Sequence, residues 1–361
     1  MGRQCVGAGA APAMPAAARR SMAKRQAGQA LVLTALAAGC VLLLLLNVAL
    51  GSVEVPLADA ARVVVGRPVA NSTFTTVVHD IRLPRALAAL VCGGALAVSG
   101  LLLQVLFRNP VVGPDILGVS SGARLAVSIA VLGSISLGSH GPSPLFVTAV
   151  ALVGAVVILV AVVAIAGRVR DIITLLVIGL MVGYIASALT SFLVAFAESE
   201  RLHEFIIWTL GSFSGFRWDQ VRVTTVLIAV LLVAAGAAAK PLNAFLLGEG
   251  YAQSMGVNVR VFRYFLIVVS GALAGIVTAF AGPVAFIGLA VPHLARLCLG
   301  TSDNRALVPG SILLGAALTS LCDLVAKTAF APTELPISAV TSLFGAPIVI
   351  AMLIKRRPLH T

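Results

Sequence analysis

The sequence predicts an all-α membrane protein with about ten transmembrane helices, and three observations support this. The chain has 361 residues, of which 60% are hydrophobic and only 11% are charged, whereas soluble domains average about 25% charged residues. Uncharged apolar runs such as 31–50 are close to the roughly 20 residues that a helix needs to cross a bilayer. Runs such as Val41–Leu46 do not alternate between apolar and polar positions, as the strands of a membrane barrel would. Together these features exclude a water-soluble fold.

Apolar windows bounded by charge, glycine and proline give the predicted elements in chain order. The segment 1–27 is rich in Ala, Gly, Arg and Lys, so we expect a disordered cytoplasmic tail there, with Met14 and Met22 as alternative starts. A cleaved signal peptide is the alternative, but the apolar stretch that follows is long for one. A single transmembrane domain is expected over 28–357. Its ten predicted spans are 28–50, 86–106, 119–138, 144–167, 173–197, 221–239, 264–281, 284–300, 306–326 and 336–354.

The distribution of lysine and arginine predicts the orientation of these spans. Ten spans place both termini on one side, and most of the 25 Lys and Arg side chains fall on that side. Because cytoplasmic segments carry the excess of positive charge, we expect both termini in the cytoplasm, in a cell (inner) membrane. The net charge of +12 is explained by this topology, and no nucleic-acid partner is expected. The residues on the predicted cytoplasmic side are Arg3, Arg19, Arg20, Lys24, Arg25, Arg108, Arg124, Arg168, Arg170, Lys240, Arg260, Arg263, Arg296, Arg305, Lys355, Arg356 and Arg357.

The sequence offers no residues arranged for bond chemistry. The five cysteines and five histidines are scattered, with no C-x-x-C pair and no metal-ligand spacing, so no metal site is expected. No G-x-x-x-x-G-K-[ST] phosphate loop occurs, and the chain therefore has no Walker-type site for ATP hydrolysis. We predict no catalytic residue, no cofactor bound by this chain and no enzyme activity of its own.

Function is expected in segments that contain more polar and turn residues than a simple connection requires. At the outer entrance to the second span, Arg82 and Arg85 flank a proline; the alternative interpretation is interfacial anchoring of a helix end. The inward turn 104–122 contains two prolines and three glycines, which indicates irregular backbone packed against protein or a water-filled path. In 282–297, two prolines bracket an apolar helix that we expect to be broken.

The longest cytoplasmic connection, 240–263, combines turn residues with apolar side chains. We predict a short helix at Tyr251–Met255, flanked by Gly250 and Gly256. Apolar residues in such a connection indicate a partner, and the alternative is an amphipathic helix that lies on the lipid surface. The side chains expected to be exposed are Phe245, Leu246, Leu247, Met255 and Val257.

Five motifs resemble one known family. The run Arg82–Ala123, RLPRALAALVCGGALAVSGLLLQVLFRNPVVGPDILGVSSGA, closely resembles FecCD-type permeases, the membrane subunits of iron-siderophore, haem and cobalamin ABC importers. The match spans about 50–357 in order. The other motifs are WTLGSFSGFRW (208–218), LLGEGYAQSMGV (246–257), GPVAFIGLAVPHLARL (282–297) and APTELPISAVTSLFGAP (331–347).

The resemblance implies the type II ABC importer permease fold and a set of partners. Two permease subunits, as a homodimer or a heterodimer, would form the pathway in the membrane lipid. Two cytoplasmic ATPase subunits would carry ATP and Mg, and an extracytoplasmic substrate-binding protein would deliver the cargo. The expected cargo is a ferric siderophore because that subclass is the commonest, with haem or cobalamin as alternatives.

The resemblance also assigns candidate site residues. Those expected to dock the binding protein are Arg82, Arg85 and Lys327. Those expected to couple the chain to the ATPase are Leu247, Gly248, Ala252, Met255, Gly256 and Val257. Those expected to form the cytoplasmic gate are Asn109, Pro110, Ile172 and Ile173.

Two other classes remain as alternatives, an ion-coupled secondary transporter and a channel or membrane scaffold. A secondary transporter would need acids or histidines buried in mid-span as a proton relay. The acids lie near span ends, with Asp323 as the one arguable exception. Lys327 follows Asp323 at i+4, so we expect the two charges to neutralise each other.

Overall fold

The computed structural model describes residues 16–51, 55–67, 72–133, 143–169, 171–331 and 333–355. Within these ranges all regular structure is helical, which confirms the predicted all-α class. The α-helices are α1 (Ala16–Ala49), α2 (Leu57–Val64), α3 (Ser72–Thr76), α4 (Leu83–Leu106), α5 (Val119–Leu132), α6 (Pro144–Ala166), α7 (Ile172–Ala195), α8 (Ser199–Leu210), α9 (Trp218–Ala237), α10 (Ala239–Leu246), α11 (Glu249–Ser254), α12 (Val259–Ala281), α13 (Ile287–Leu299), α14 (Asn304–Thr328) and α15 (Ile337–Lys355). A π-helical segment, Val77–Arg82, leads into α4, and a 3-10 turn, Pro114–Leu117, precedes α5.

The helices agree with the ten predicted spans. Seven helical segments of the described residues are long and apolar enough to cross a membrane, and three shorter apolar helices accompany them. Each of the ten overlaps one predicted window. The seven are Arg25–Ala49, Thr73–Leu106, Pro144–Ala166, Ile172–Ala195, Trp218–Ala237, Val259–Ala281 and Asn304–Thr328, and the three are Val119–Leu132, Ile287–Leu299 and Ile337–Ala351.

The start of the chain differs from the prediction. Helix α1 begins at Ala16, so residues 16–27 are helical rather than disordered. Alanine, arginine and lysine are strong helix formers, and these residues extend the spanning helix by three turns without a new nucleus. The rest of the predicted tail, 1–15, lies outside the described residues.

Helix α4 is the centre of the bundle and is buried along almost its whole length. Glycines let neighbouring helices approach its backbone closely. A Cβ atom at Gly93 would lie 2.4 Å from the carbonyl oxygen of Gly315 in α14, and one at Gly100 would lie 1.6 Å from that of Gly288 in α13. The core is therefore a set of close helix contacts around α4.

The bundle has two ends that matter for function. We call the end at which α1 begins the inner end; there Arg25 Nη2 donates to the carbonyl oxygen of Gly300 at 2.8 Å, which joins α1 to the end of α13. At the opposite, outer end, α1 finishes at Ala49 beside the start of α4, where Arg82 donates to its last carbonyls. The candidate residues divide between these ends.

Candidate functional sites at the two ends of the bundle

Arg85, in the first turn of α4, lies at the centre of an ion-pair network at the outer end. Its Nε lies 3.0 and 3.1 Å from the two carboxylate oxygens of Asp323 in α14, and its Nη2 lies 2.9 Å from Asp323 Oδ1. Its Nη1 donates to Glu334 Oε1 at 2.7 Å. The side chains of Arg85 and Asp323 are 9% and 1% exposed, whereas that of Glu334 is 45% exposed. Arg85 thus links a buried acid to a surface acid.

The other two predicted docking residues bind the end of α1. Arg82 Nη1 donates to the carbonyl oxygens of Val48 and Ala49, at 2.9 and 2.7 Å, and Lys327 Nζ donates to that of Asn47. The last carbonyls of a helix have no intrahelical partner and form the negative end of its dipole. The structure therefore brings Arg82, Arg85 and Lys327 to the outer end, where each donates to a group of the protein itself.

Asp323 and Lys327, which the sequence suggested as partners, do not form a direct ion pair. Among the described residues Asp323 is paired with Arg85, and no ion pair joins it to Lys327 within 4.0 Å. The physical reason is geometric, because the planar guanidinium can donate two parallel hydrogen bonds to a carboxylate and a lysine ammonium cannot. Lys327 is instead directed to the helix terminus.

A second feature of the outer end was not predicted from the sequence. The turn that follows α8 is bonded to the end of α12, beside the break between α12 and α13. The Ser212 N–H donates to the Ala281 carbonyl oxygen at 2.8 Å. Gly211 and Gly282 adopt φ values of +70° and +75°, and a Cβ at Gly282 would lie 2.9 Å from Gly211 Cα. The prediction of a broken helix in 282–297 is wrong, because α13 runs without interruption from Ile287 to Leu299 with Pro292 inside it, and the irregular backbone is confined to the connection after α12.

At the inner end, the connection 240–263 folds as α10, a glycine turn, the short helix α11 and a second glycine turn. Helix α11 covers Glu249–Ser254, so it begins two residues and ends one residue before the predicted helix, and Gly248 and Gly256 flank it with φ values of +123° and +85°. Arg263 Nε donates to Glu249 Oε1 at 2.8 Å, which ties α11 to α12. As expected, Leu247 and Met255 are 69% and 64% exposed.

Two expectations about this connection are wrong. Phe245 is fully buried, with its ring 5.4 Å from that of Phe262. Ala252 is also fully buried, so it lies on the inward side of α11, away from the surface that a partner subunit can reach. Leu246 and Val257 are half-buried. An α-helix has 3.6 residues per turn, so even a six-residue helix turns one side toward the rest of the protein, and Ala252 is on that side.

The predicted gate residues do not line one cavity. Asn109 and Pro110 follow α4 and border a cavity of about 780 Å³ at the inner end. Ile172 and Ile173 begin α7 and are absent from its lining; Ile173 is 71% exposed. Asp171 caps α7, and hydrogen bonds from the Thr174 N–H and hydroxyl lower the pKa of its carboxyl group.

In the part of the chain that the structure describes, no group of three or more His, Cys, Asp and Glu side chains is placed to hold a metal ion. The cysteines in that part, Cys40, Cys92, Cys298 and Cys322, are free thiols.

Comparisons with known proteins agree with this architecture. The sequence profile of the FecCD transport family matches residues 39–355. Vitamin B12 import system permease proteins BtuC of Escherichia coli O9:H4 and Citrobacter koseri are each 40% identical to this chain, over 281 and 280 residues. Each alignment covers 78% of this chain, and 84% and 83% of the respective relative.

Solved structures share this fold. An inward-facing metal-chelate type ABC transporter matches with a TM-score of 0.79 and 28% identity, covering 90% of this chain and 99% of that one. PsaBC from Streptococcus pneumoniae, in complex with Fab, matches with a TM-score of 0.52 and 14% identity over 76% of this chain and 92% of that one, a likeness of fold alone. Because the family profile matches from the last third of α1 to the end of α15, the chain belongs to the FecCD transport family.

Proposed function

We propose that this chain is the permease subunit of an ATP-driven importer that carries a cobalamin-type metal chelate into the cell. The observation that carries the proposal is the 40% identity, over 84% of the relative's length, to a permease of a vitamin B12 import system. The metal-chelate type transporter with a TM-score of 0.79 supports the same class of cargo. These relatives favour cobalamin, the alternative cargo, over the ferric siderophore that the sequence alone suggested.

The distribution of buried charge supports a passive pathway that depends on partner ATPase subunits. The buried charged side chains of the described residues are Arg82, Arg85 and Asp323, all at the outer end. Asp323 was the one acid that a proton-coupled mechanism could have used as a mid-span relay. Because Arg85 holds it in a bidentate ion pair, it is a fixed structural charge, which argues against the ion-coupled secondary transporter.

We place the binding-protein docking surface at the outer end, over Arg82, Arg85 and Lys327. Arg85 reaches this surface through its contact with Glu334, the exposed member of the network. A carboxylate of the binding protein can take the place of Glu334 on Nη1 while Asp323 keeps the other side of the guanidinium. Docking is then an exchange of one acid for another, on a cation that the fold has already oriented.

We place the ATPase coupling surface at the inner end, on the exposed side of α11. Tyr251 within α11 and Leu247 and Met255 at its two ends are large exposed side chains, and Gly248 and Gly256 have positive φ values at the turns on either side of the helix. The ion pair between Arg263 and Glu249 joins α11 to α12, so movement of α11 is transmitted to a spanning helix.

The experiment is purification of the tagged chain from its native membranes, followed by identification of the retained subunits and the transported metal. Proteoliposomes that contain the complex are given binding protein loaded with radiolabelled cobalamin or a labelled ferric siderophore. The proposal expects an associated ATPase and ATP-dependent uptake of cobalamin. Uptake of the ferric chelate alone would restore the siderophore assignment, and a complex without any ATPase would overturn the importer itself.

A further inference from the structure

A cavity at the inner end has an unusual charge composition. It has a volume of about 780 Å³ and lies between the ends of α4, α10, α13 and α15, within the size range of small-ligand pockets. Among the described residues that line it, Arg108, His293 and Arg296 are basic and none is acidic. Neither the docking surface nor the coupling surface uses these residues.

Arg296 lies half-buried in the cavity wall without a counter-ion. Its Nη1 donates to Gln104 Oε1 at 2.8 Å, and Gln104 Nε2 donates to the Leu289 carbonyl oxygen at 3.0 Å, which fixes the amide with its oxygen toward the arginine. No carboxylate of the described residues lies within 4.0 Å of this guanidinium. By contrast, Arg85 and Arg263 are paired with acids. Partial burial of a charge without compensation costs free energy, and a bound anion removes that cost.

Arg108 adds a second cation at a backbone position where glycine is the usual residue. It follows α4 with φ +47°, and the Asn109 N–H donates to the Gln104 carbonyl oxygen at 3.2 Å, the helix-ending pattern that normally has glycine at this point. A left-handed conformation is unfavourable for a side chain with a Cβ atom. The turn nevertheless presents an exposed arginine to the cavity.

Two acids close to the lining residues in sequence, Asp303 and Glu249, are bonded to other groups. Asp303 adjoins the lining residue Ser302, but its carboxylate accepts from Asn243 Nδ2 at 2.6 Å and from the Arg305 N–H at 2.9 Å. Glu249, in the neighbouring connection, is held by Arg263. Neither of these two acids forms an ion pair with Arg108 or Arg296.

We infer that this cavity binds a phosphate-type anion. The arginine fork matches phosphate oxygens with two parallel hydrogen bonds, and Asn109 and Ser302 on the lining provide further polar groups. A basic pocket between spanning helices at the inner end is also at the depth of lipid phosphates. The shared ligand chemistry is a phosphate, either on the headgroup of an anionic phospholipid or free in solution.

The test uses the full-length chain in two kinds of nanodisc, one of phosphatidylcholine alone and one that also contains phosphatidylglycerol. Titration of inorganic phosphate into the first reports a free anion; native mass spectrometry of the second reports retained phosphatidylglycerol. We expect Arg296→Gln and Arg108→Gln each to weaken binding about tenfold, the loss of one charge-assisted hydrogen bond. Arg296→Lys should bind more tightly than Arg296→Gln. The matched control is Arg260→Gln, which removes one exposed charge from the start of α12.

Each outcome decides the inference. Phosphate binding, or phosphatidylglycerol retention, that falls in the Arg296 and Arg108 variants and not in Arg260→Gln supports it and identifies the source. Equal binding in all three variants, or no binding of either probe to the wild-type chain, overturns it. Arg108 is exposed, so its variant remains informative if Arg296→Gln fails to fold.

Discussion

The guanidinium of Arg85 contacts both carboxylate oxygens of Asp323, at 3.0 and 3.1 Å, across 238 residues of sequence. The pair joins α4 to α14 at the outer end of the bundle. One donor of the same guanidinium remains for Glu334 at the surface. The residue proposed to dock the binding protein is therefore also part of the fold's buried framework.

Removal of either member of this pair should destabilise the protein. Arg85→Ala or Asp323→Ala leaves an uncompensated buried charge, and we expect a loss of about 3–5 kcal/mol in the free energy of unfolding. Thermal unfolding in detergent, followed by fluorescence, measures it. The control is Arg62→Ala, which breaks an exposed pair with Asp59 and should cost less than about 1 kcal/mol. Equal midpoints for the Arg85 and Arg62 variants would show that the buried pair does not stabilise the fold.

Glu334→Gln should strengthen docking of the binding protein. It removes the acid that occupies Arg85 Nη1 while the buried pair with Asp323 stays intact. We expect roughly a three- to tenfold lower Kd for the loaded binding protein, measured on the complex in nanodiscs. Glu204→Gln removes an exposed acid from α8 and controls for the change in overall charge. A Kd that rises, or that changes equally in both variants, contradicts docking by exchange.

Substitutions on the two sides of α11 should have different effects. Met255→Ala removes an exposed apolar side chain, so the free energy of unfolding should change by less than about 0.5 kcal/mol, while ATPase association weakens about tenfold. Ala252→Trp overfills a buried site and should cost about 1–3 kcal/mol of stability. Co-purification of the ATPase, together with thermal unfolding, separates the two effects. Full ATPase association with Met255→Ala would remove this residue from the coupling surface.

The cap of α14 should depend on pH. Burial acts to raise the pKa of Asp303, but hydrogen bonds from the Arg305 N–H and Asn243 and the charge of Arg305 outweigh it, so the pKa is lowered. Because the pKa is lowered, the ionised carboxylate stabilises the folded state at pH values above the ordinary pKa of aspartate. This stabilisation is lost as the pH falls through the pKa that Asp303 has in the folded protein. Asp303→Ala should cost about 1 kcal/mol at neutral pH. Unfolding of both proteins at several pH values measures the difference, which should shrink in acid; a constant difference contradicts the cap.

The spans were predictable from the sequence because apolarity and charge along the chain determine insertion in a membrane. The windows at 144–167 and 173–197 agree with α6 and α7 to within two residues. The partners of the outer charges were not predictable. Local spacing favoured Asp323 with Lys327, but the decisive contact comes from Arg85, which only the packing of α4 on α14 brings within reach. Likewise, sequence alone showed apolar residues around α11 but could not show that Ala252 faces inward.

The central claim is that this chain provides a pathway and that the energy for transport comes from separate ATPase subunits. Uptake of radiolabelled cobalamin into proteoliposomes tests it most directly, with the chain alone compared with the native complex, in the presence and absence of ATP. We predict no accumulation by the chain alone and ATP-dependent accumulation by the complex with its loaded binding protein. Accumulation by the chain alone, without an ATPase, would contradict the account.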